Sequence, residues 1–207
     1  MGLKYLKTFL SAILAGICIG IGGIVYLSVE SKLAGAFFFT TGLFVICIFG
    51  LDLFTGKVCY TFQRGKEGAV KLPIIFLGNF AGTWIMGTLV GFTRIAAVSE
   101  AATALCAVKL TDGYLSLFIL GIFCNIMIYI AVEGYAHAPH ELGKYLSLFF
   151  GVMVFILCGF EHSIADMFYF SAAKMWSTEA FLRILVIAAG NAAGGVSFPV
   201  LRGLLEK

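Results

Sequence analysis

Four ionisable side chains interrupt otherwise apolar stretches of the sequence, and they are the residues best suited to chemistry. His162 follows Glu161 directly, Asp166 comes four residues after His162, and Asp52 stands in a separate apolar stretch. An ionisable group in such surroundings is expensive and by default indicates a functional site. Because imidazole alone has an unperturbed pKa near neutrality, His162 is the first candidate for handling a proton. The alternative is a neutral core histidine that a neighbour satisfies by hydrogen bonding.

The composition puts these residues in a membrane. Of 207 residues, 61% are hydrophobic and only 12% are charged, and the mean hydropathy is +1.03. Soluble domains average roughly 45–50% apolar and about 25% charged residues. An ordinary cytosolic enzyme, a disordered tail and a secreted disulfide scaffold are therefore excluded, and membrane lipid is an expected partner. The net charge of +3 includes no basic run, so nucleic acid is not expected as a partner.

Six stretches are long enough to cross a bilayer, which takes about 20 apolar residues in a helix. They cover approximately residues 9–28, 33–59, 74–92, 113–132, 145–170 and 180–201. The polar gaps between them are short, so we expect a single membrane domain over residues 1–207. Nine Lys and Arg residues, Lys207 among them, fall on one side of this arrangement and five on the other. The positive-inside rule then predicts that both termini are cytoplasmic.

The two halves of the chain repeat one another. Gly50 precedes Asp52 in the second span as Gly159 precedes Glu161 in the fifth, and a G-N-x-x-G motif follows each acid. The asparagine of the motif comes 27 residues after Asp52 and 30 residues after Glu161. Three spans in each half force opposite orientations, an inverted repeat of about 1–95 and 110–207 that is typical of transporters. The sequence therefore predicts an all-α membrane protein with six transmembrane helices, of which the second and fifth are broken.

We expect the two breaks to face one another around a substrate path, because backbone freed at membrane depth must be buried in protein or line a polar cavity. Asp52 and Glu161 are expected to support the breaks by capping the half-helices that follow. Asn79 and Asn191 of the G-N-x-x-G motifs either join helices by hydrogen bonds or line the path. One intramembrane histidine with dispersed acids does not make a metal site. Enzyme motifs are absent as well, so neither catalysis nor a cofactor is expected.

Four motifs in order along the chain carry a resemblance to a known family. They are L-F-T-G at residues 53–56, C-N-I-M at 124–127, G-F-E-H-S-I-A-D-M at 159–167 and G-N-A-A-G-G at 190–195. In these residues the chain resembles the formate/nitrite transporter family of pentameric anion channels. The resemblance implies a homopentamer in the bacterial plasma membrane. Asp166 stands where the family usually has asparagine, so this acid needs a partner, and Lys57 after the first motif is also uncommon.

The resemblance implies a role for each matched residue. His162 corresponds to the central pore histidine, Thr55 to the threonine that faces it, and Asn125 and Asn191 to pore asparagines. Lys109 corresponds to a lysine of the outer vestibule, where it would form a positive lip that concentrates anions rather than an ordinary solvated charge. The implied hydrophobic constrictions are Phe39 with Phe155 on the outer side and Leu43, Phe54 and Ile128 on the inner side.

Two mechanisms stay open at this point. In the first, the anion takes a proton from His162, or from water through it, and crosses as a neutral acid. A bare anion in an apolar constriction costs tens of kcal/mol in the dry limit. In the second, His162 binds the anion and carries no proton. The expected substrate is formate or nitrite, with hydrosulfide as the alternative. An aquaporin-like channel and a non-transporting scaffold are disfavoured, because N-P-A motifs are absent and a scaffold does not explain matched breaks.

Overall fold

The computed structural model describes residues 2–95 and 97–205, and within these residues it contains nine helices and no strand. The helices are α1 (Leu3–Ser28), α2 (Lys32–Phe49), α3 (Phe54–Val58), α4 (Thr61–Val90), α5 (Val98–Thr111), α6 (Tyr114–His137), α7 (Glu141–Cys158), α8 (Ser163–Ala172) and α9 (Thr178–Leu205). Six of them, namely α1, α2, α4, α6, α7 and α9, are long and apolar enough to cross a membrane. The predicted six-span, all-α architecture is therefore confirmed. Lys207, one of the charges used to orient the chain, lies outside the described residues.

Glycine allows the first and third spanning helices of each half to pack closely. α1 lies against α4, and a Cβ at Gly16 would fall on the backbone of Asn79. α6 lies against α9 in the same way, and a Cβ at Gly194 would fall on the backbone of Ile122. Such close approach is how small residues join helices where lipid supplies no hydrophobic driving force.

Both broken spans stop at a glycine in the left-handed conformation. Gly50, after α2, has φ 63°, and Gly159, after α7, has φ 71°. The N–H of Leu51 then reaches back to the carbonyl of Ile46 at 2.9 Å, and the equivalent bond follows Gly159. This is a Schellman ending, and a side chain at the left-handed position would strain it. A non-helical segment of three residues then leads to the half-helix α3 or α8.

Two helices differ from the sequence-based prediction. α4 begins at Thr61, well before the predicted start of the third span near residue 74, and it turns sharply at Gly65 (φ 60°, ψ −154°). α5 forms in the predicted connection between the third and fourth spans. Its 14 residues measure about 21 Å at 1.5 Å per residue, which is shorter than the hydrocarbon core of about 30 Å. α5 therefore packs against α8 instead of spanning.

The start of α1 and the end of α9 lie on the same side of the molecule, called here the terminal side, where Tyr60, just before α4, donates to Glu133 at 2.8 Å. Lys4, near the start of α1, pairs with Glu67 near the start of α4. Arg202, near the end of α9, pairs with Glu133 near the end of α6. The opposite side, called the far side, holds α5, which follows the far end of α4.

Candidate functional site

The two helix breaks meet at Thr55 and His162. The hydroxyl oxygen of Thr55, in α3, lies 2.9 Å from Nε2 of His162, which caps α8. The other ring nitrogen of His162, Nδ1, accepts the backbone N–H of Ala165 at 3.1 Å. Both side chains are buried, with 0% of Thr55 and 2% of His162 exposed. The inverted halves thus bring together the two polar side chains that the sequence singled out.

The capping bond determines which nitrogen of His162 carries hydrogen. An Nδ1 that accepts an N–H must have a free lone pair, so the neutral ring carries its hydrogen on Nε2. The Nε2–H then donates to the Thr55 hydroxyl, whose own hydrogen is free to point into the path. Protonation of Nδ1 would place a second hydrogen against the N–H of Ala165 and remove the cap of α8. The geometry therefore favours a neutral imidazole.

Two asparagines hold the breaks in place by equivalent sets of hydrogen bonds. The amide of Asn79 donates to the carbonyls of Ala12 and Asp52 and accepts the N–H of Phe54, at 2.8–2.9 Å. Asn191 repeats the pattern in the other half. It donates to the carbonyls of Gly121 and Glu161, at 2.9 and 2.8 Å, and accepts the N–H of Ser163 at 3.0 Å. We call these two side chains the asparagine clamps.

The clamps decide between the two roles considered for these asparagines. Each asparagine has 0% exposure, and each has both N–H groups and its carbonyl oxygen bonded to backbone. Their geometry favours the interhelical role. Asn191 therefore differs from the implied pore asparagine, since its amide is already committed to holding the second break.

The expectation that Asp52 and Glu161 cap the half-helices is wrong. The N-cap of α3 is Leu53, whose side chain makes no capping bond, and the N-cap of α8 is His162. The backbone between each acid and its half-helix is extended, so each carboxylate points away and finds a cation instead. Asp52 pairs with Lys57 at 2.9 Å, and Glu161 pairs with Lys109.

Lys109 lies inside the protein rather than on a solvated lip. It projects from α5 with 8% exposure, and its Nζ lies 2.5 Å from Glu161 and 2.9 Å from Asp166. Burial alone lowers the pKa of Lys109, but the two carboxylates outweigh it and raise that pKa above its ordinary value. Lys109 is thus the ion-pair partner that we expected for Asp166. The second oxygen of Asp166, Oδ2, is buried without a hydrogen-bond partner among the described residues.

Asn125 of α6 completes the polar group beside Thr55. Its amide donates to the backbone carbonyl of Thr55 at 3.1 Å and contacts the Cys59 sulfur at 3.7 Å. Its side-chain oxygen is buried and, within the described chain, has no partner. Asn125 thus bonds to the backbone of Thr55 and keeps one acceptor without a partner.

The residues that the resemblance assigns to the two hydrophobic constrictions differ in their packing. The rings of Phe39 and Phe155 meet edge to face with centroids 6.2 Å apart, and Phe155 stacks on His162 at 5.5 Å. Leu43 and Ile128 are each 1% exposed. Phe54, however, packs against Phe76 at 5.0 Å.

Leu53, the residue before Phe54, lines a cavity together with Leu43, whereas Phe54 is not part of that lining. Leu53 is the last residue of the non-helical segment and Phe54 is the first residue of α3, so the two side chains point in different directions. The place in the inner constriction that the resemblance implied for Phe54 thus finds no support in the lining of this cavity, which the neighbouring Leu53 reaches instead.

Two cavities lie toward opposite sides of the molecule. The far-side cavity measures about 60 Å³, and its lining includes Lys109, Phe155, His162 and Asp166. The terminal-side cavity measures about 370 Å³, and its lining includes Leu43, Leu53, Lys57 and Arg64. Among the described residues, no cluster of three or more His, Cys, Asp or Glu could hold a metal ion.

The sequence of the chain is similar to that of known transport proteins. The profile of a family described as Formate/nitrite transporter matches residues 1–203. The uncharacterized transporter YrhG of Bacillus subtilis is 31% identical over 183 residues, which are 81% of this chain and 69% of that protein. The formate channel FocA of Haemophilus influenzae is 26% identical, over 82% of this chain and 70% of that one. The nitrite transporter NirC of Escherichia coli is 26% identical, over 92% and 80% respectively.

Solved structures share the fold along almost the whole chain. One is described as a pentameric formate channel with formate bound. It matches with a TM-score of 0.81 at 26% identity and covers 98% of this chain and 97% of that one. An FNT family ion channel matches with a TM-score of 0.82 at 23% identity, over 98% and 90%. The second likeness concerns the fold alone.

Proposed function

Because the chain belongs to the formate/nitrite transporter family, a family of transport channels rather than enzymes, we propose that it conducts a small weak-acid anion, formate or nitrite. The observation that carries the proposal is the buried hydrogen bond between Thr55 and His162, made where two helix breaks meet. A similar structure is described as a formate channel with formate bound, which supports formate as the first substrate to test. Hydrosulfide is the second substrate to test.

We infer that the substrate crosses the middle of the path as the neutral acid. The Thr55 hydroxyl accepts from Nε2–H of His162 and so offers its own hydrogen to a carbonyl or nitrosyl oxygen. The oxygen of Asn125 is a free acceptor that suits the O–H of a protonated acid. An anion has no hydrogen for that acceptor, and it would face the large cost of leaving water. Donor and acceptor together therefore match the acid better than its anion.

In this mechanism His162 works as a neutral hydrogen-bond donor. Its Nδ1 is committed to the cap of α8, so an imidazolium would be made only by giving up that bond. As water is stripped from the anion in a narrow path, the charged form is disfavoured and the acid takes up a proton. The proton comes from water in the adjoining cavity, and it is released when the acid reaches water on the other side. Transport then moves one proton with each anion.

We further propose that the protein is a homopentamer in the bacterial plasma membrane, with both termini in the cytoplasm. The pentamer follows the assembly named for the similar structure, and the location follows the bacterial relatives. Many large apolar side chains are exposed on the single chain, including Leu14 at 51% and Phe38 at 51%. Lipid and neighbouring subunits would cover such a surface.

Uptake by liposomes that contain the purified protein tests the proposed function. Formate, nitrite and hydrosulfide are supplied in parallel, and water and glycerol flux are followed by light scattering. Empty liposomes and the variant His162→Phe are the controls. Uptake of one or more anions that His162→Phe reduces at least tenfold supports the proposal. Glycerol or water flux without anion uptake would identify a neutral-solute channel instead, and the absence of any flux would overturn the transport function.

A further inference from the structure

The two cavities differ in the balance of charge on their walls. The far-side cavity is lined by one cation, Lys109, and one carboxylate, Asp166, and Lys109 is also paired with Glu161 behind the wall. The terminal-side cavity is lined by two cations, Lys57 and Arg64, and by no carboxylate, since Asp52 pairs with Lys57 from outside this lining. In formal charge the far-side walls are thus neutral, and the terminal-side walls are positive.

The far-side cluster offers an incoming anion no free positive charge. The Lys109 ammonium faces carboxylate oxygens from two directions at hydrogen-bond distance. Asp166 also keeps one buried oxygen, Oδ2, without a partner, and Asp166 is part of the cavity lining. An anion that approaches His162 from this side therefore meets a carboxylate oxygen with no compensating donor. With asparagine at this position, the cluster would balance one cation against one anion.

One of the two cations that line the terminal-side cavity has no carboxylate partner among the described residues. Lys57 is paired with Asp52, at 2.9 Å. Arg64 lies with its guanidinium 5.7 Å from the ring centre of Tyr60, and within the described part of the chain no carboxylate is within ion-pair distance of it. Lys57 and Arg64 line this cavity and also a second, neighbouring cavity of about 380 Å³ on the same side. Guanidinium presents several donors in a planar fork that suits carboxylate-like anions.

The sharp turn at Gly65 gives Arg64 an orientation separate from the rest of α4. The backbone of Gly65, with φ 60° and ψ −154°, lies in a region that residues with a Cβ rarely adopt. A Cβ there would have no neighbour within 4 Å, so its cost would be conformational rather than steric. The residue type at position 65 therefore favours the turn that presents Arg64 to the cavities.

From these contacts we propose that Lys57 and Arg64 form the loading site for the anion. The site takes a small monovalent anion with one or two oxygen acceptors, and it makes the channel saturate at lower concentration from the terminal side than from the far side. The inference rests on the proposed function. A cationic cleft raises the local concentration of anions by roughly 10–10³-fold, so we expect half-saturating concentrations that differ about tenfold. Net flux at equilibrium remains zero, because only the concentration dependence is asymmetric.

Membrane vesicles of the two orientations test this proposal. Right-side-out and inside-out vesicles are prepared from cells that make the protein, and protease access to an N-terminal tag identifies which face carries the termini. Initial rates of formate uptake are then measured against formate concentration at low and high salt. We expect the lower half-saturating concentration when formate is added to the terminal face, and a smaller difference at high salt, where exposed charges are screened.

Three variants separate the two cavities. Arg64→Gln is expected to raise the half-saturating concentration on the terminal side about tenfold and to leave the far-side value unchanged. Arg64→Lys keeps the positive charge and should give a terminal-side value close to that of the wild type. Asp166→Asn is expected to lower the far-side value. Lys66→Gln, the same change of charge at an exposed position of α4 that lines neither cavity, is the matched control.

The outcomes distinguish this proposal from the one on which it rests. Equal half-saturating concentrations from the two faces of the wild type would overturn the loading site. The loading site would also be contradicted if Arg64→Gln raised the terminal-side half-saturating concentration no more than Lys66→Gln does. If neither vesicle type takes up any anion, the proposed function itself is wrong.

Discussion

The break after α2 and the break after α7 have the same backbone design but different side chains around it. Each begins at a left-handed glycine, Gly50 or Gly159, and each is held by a clamp, Asn79 or Asn191, that makes three bonds to backbone. The first break contributes a neutral hydroxyl, and the second contributes an imidazole that caps the following half-helix. The duplicated backbone design thus determines where the two halves meet. The side chains that differ between the breaks, a hydroxyl and an imidazole, provide the polar groups of the site.

The acids beside the two breaks differ in their surroundings. Asp52 and Lys57 form a partly solvated pair whose side chains are each 23% exposed. Glu161 shares the buried Lys109 with Asp166, and none of these three side chains is more than 10% exposed. Equivalent positions of the repeat therefore carry a partly solvated ion pair and an almost wholly buried ion cluster.

Removal of the buried cation should have the largest effect on stability. Lys109→Met leaves the carboxylates of Glu161 and Asp166 close together without a cation. Because an uncompensated buried charge costs about 3–5 kcal/mol, we expect the free energy of unfolding to fall by that amount. Lys57→Met, the equivalent change at the solvated pair, should cost no more than about 1 kcal/mol. Chemical unfolding in mild detergent measures both, and equal losses would contradict the difference described here.

Loss of an asparagine clamp should cause the next largest loss of stability. Asn191→Leu removes three hydrogen bonds and leaves the carbonyls of Gly121 and Glu161 and the N–H of Ser163 without partners. Each unsatisfied buried group costs about 1–3 kcal/mol, so three of them at the lower end of that range give an expected loss of about 3 kcal/mol. Asn79→Leu should cost less, because its bonds to Phe54 and Asp52 are only partly buried.

The same unfolding measurement checks the order of the clamp variants. Asn125→Leu is the matched control, because Asn125 makes only one hydrogen bond to backbone. The interpretation of Asn79 and Asn191 as clamps would be wrong if all three variants lost the same stability.

Substitution of the turn glycines should give smaller and equal losses. Gly50→Ala and Gly159→Ala each put a Cβ on a left-handed residue, which costs about 1–2 kcal/mol. No atom lies within 4 Å of either added Cβ, so the cost is conformational in both halves. Gly203→Ala is the control, since Gly203 is equally open but lies within α9 and does not have a positive φ. Thermal unfolding of the three variants should show two similar decreases in Tm and no decrease for the control.

The smallest effect on stability and a large one on transport are expected at Thr55. Thr55→Val keeps the shape of the side chain but removes the hydroxyl that accepts from His162 and donates to the substrate. Loss of one hydrogen bond of about 1.4 kcal/mol corresponds to about tenfold in rate. Thr55→Ser keeps the hydroxyl and should retain most of the formate flux in liposomes. Similar flux through the valine and serine variants would show that the hydroxyl takes no part in transport.

Local signals in the sequence predicted most of the scaffold. The six spans follow from runs of apolar residues, and the two breaks follow from glycine and an acid within such runs, as at Gly159 and Glu161. The meeting of Thr55 and His162 follows from the inverted repeat, because equivalent breaks in opposite halves converge on the same depth. These features depend on spacing along the chain, which a single sequence displays directly.

The features that were missed depend on contacts between distant residues. Besides the cap that His162 supplies to α8, the side chains that bind the first N–H of each half-helix come from far along the chain, since Asn79 binds the N–H of Phe54 and Asn191 that of Ser163. The matched G-N-x-x-G motifs were the signal for them, but an asparagine at such a motif could equally have faced the path. The burial of Lys109 was missed because α5 is too short to span and folds back on α8.

The lining of the terminal-side cavity by Leu53 was not predicted either, for a different reason. Periodicity locates a helical face, but it does not orient Leu53, the last residue of a non-helical segment, relative to Phe54, the first residue of α3. The side chain that lines the cavity could therefore not be told from its neighbour.

The most direct test of the account is to measure formate uptake, internal pH and membrane potential together in the same liposomes. Since the site at Thr55, Asn125 and His162 matches a neutral acid, we predict that the interior acidifies by one proton for each formate taken up. The rate should also be insensitive to an imposed potential. Formate uptake that carries charge across the membrane without a change of internal pH would contradict the neutral-acid mechanism, and the site would then bind the bare anion.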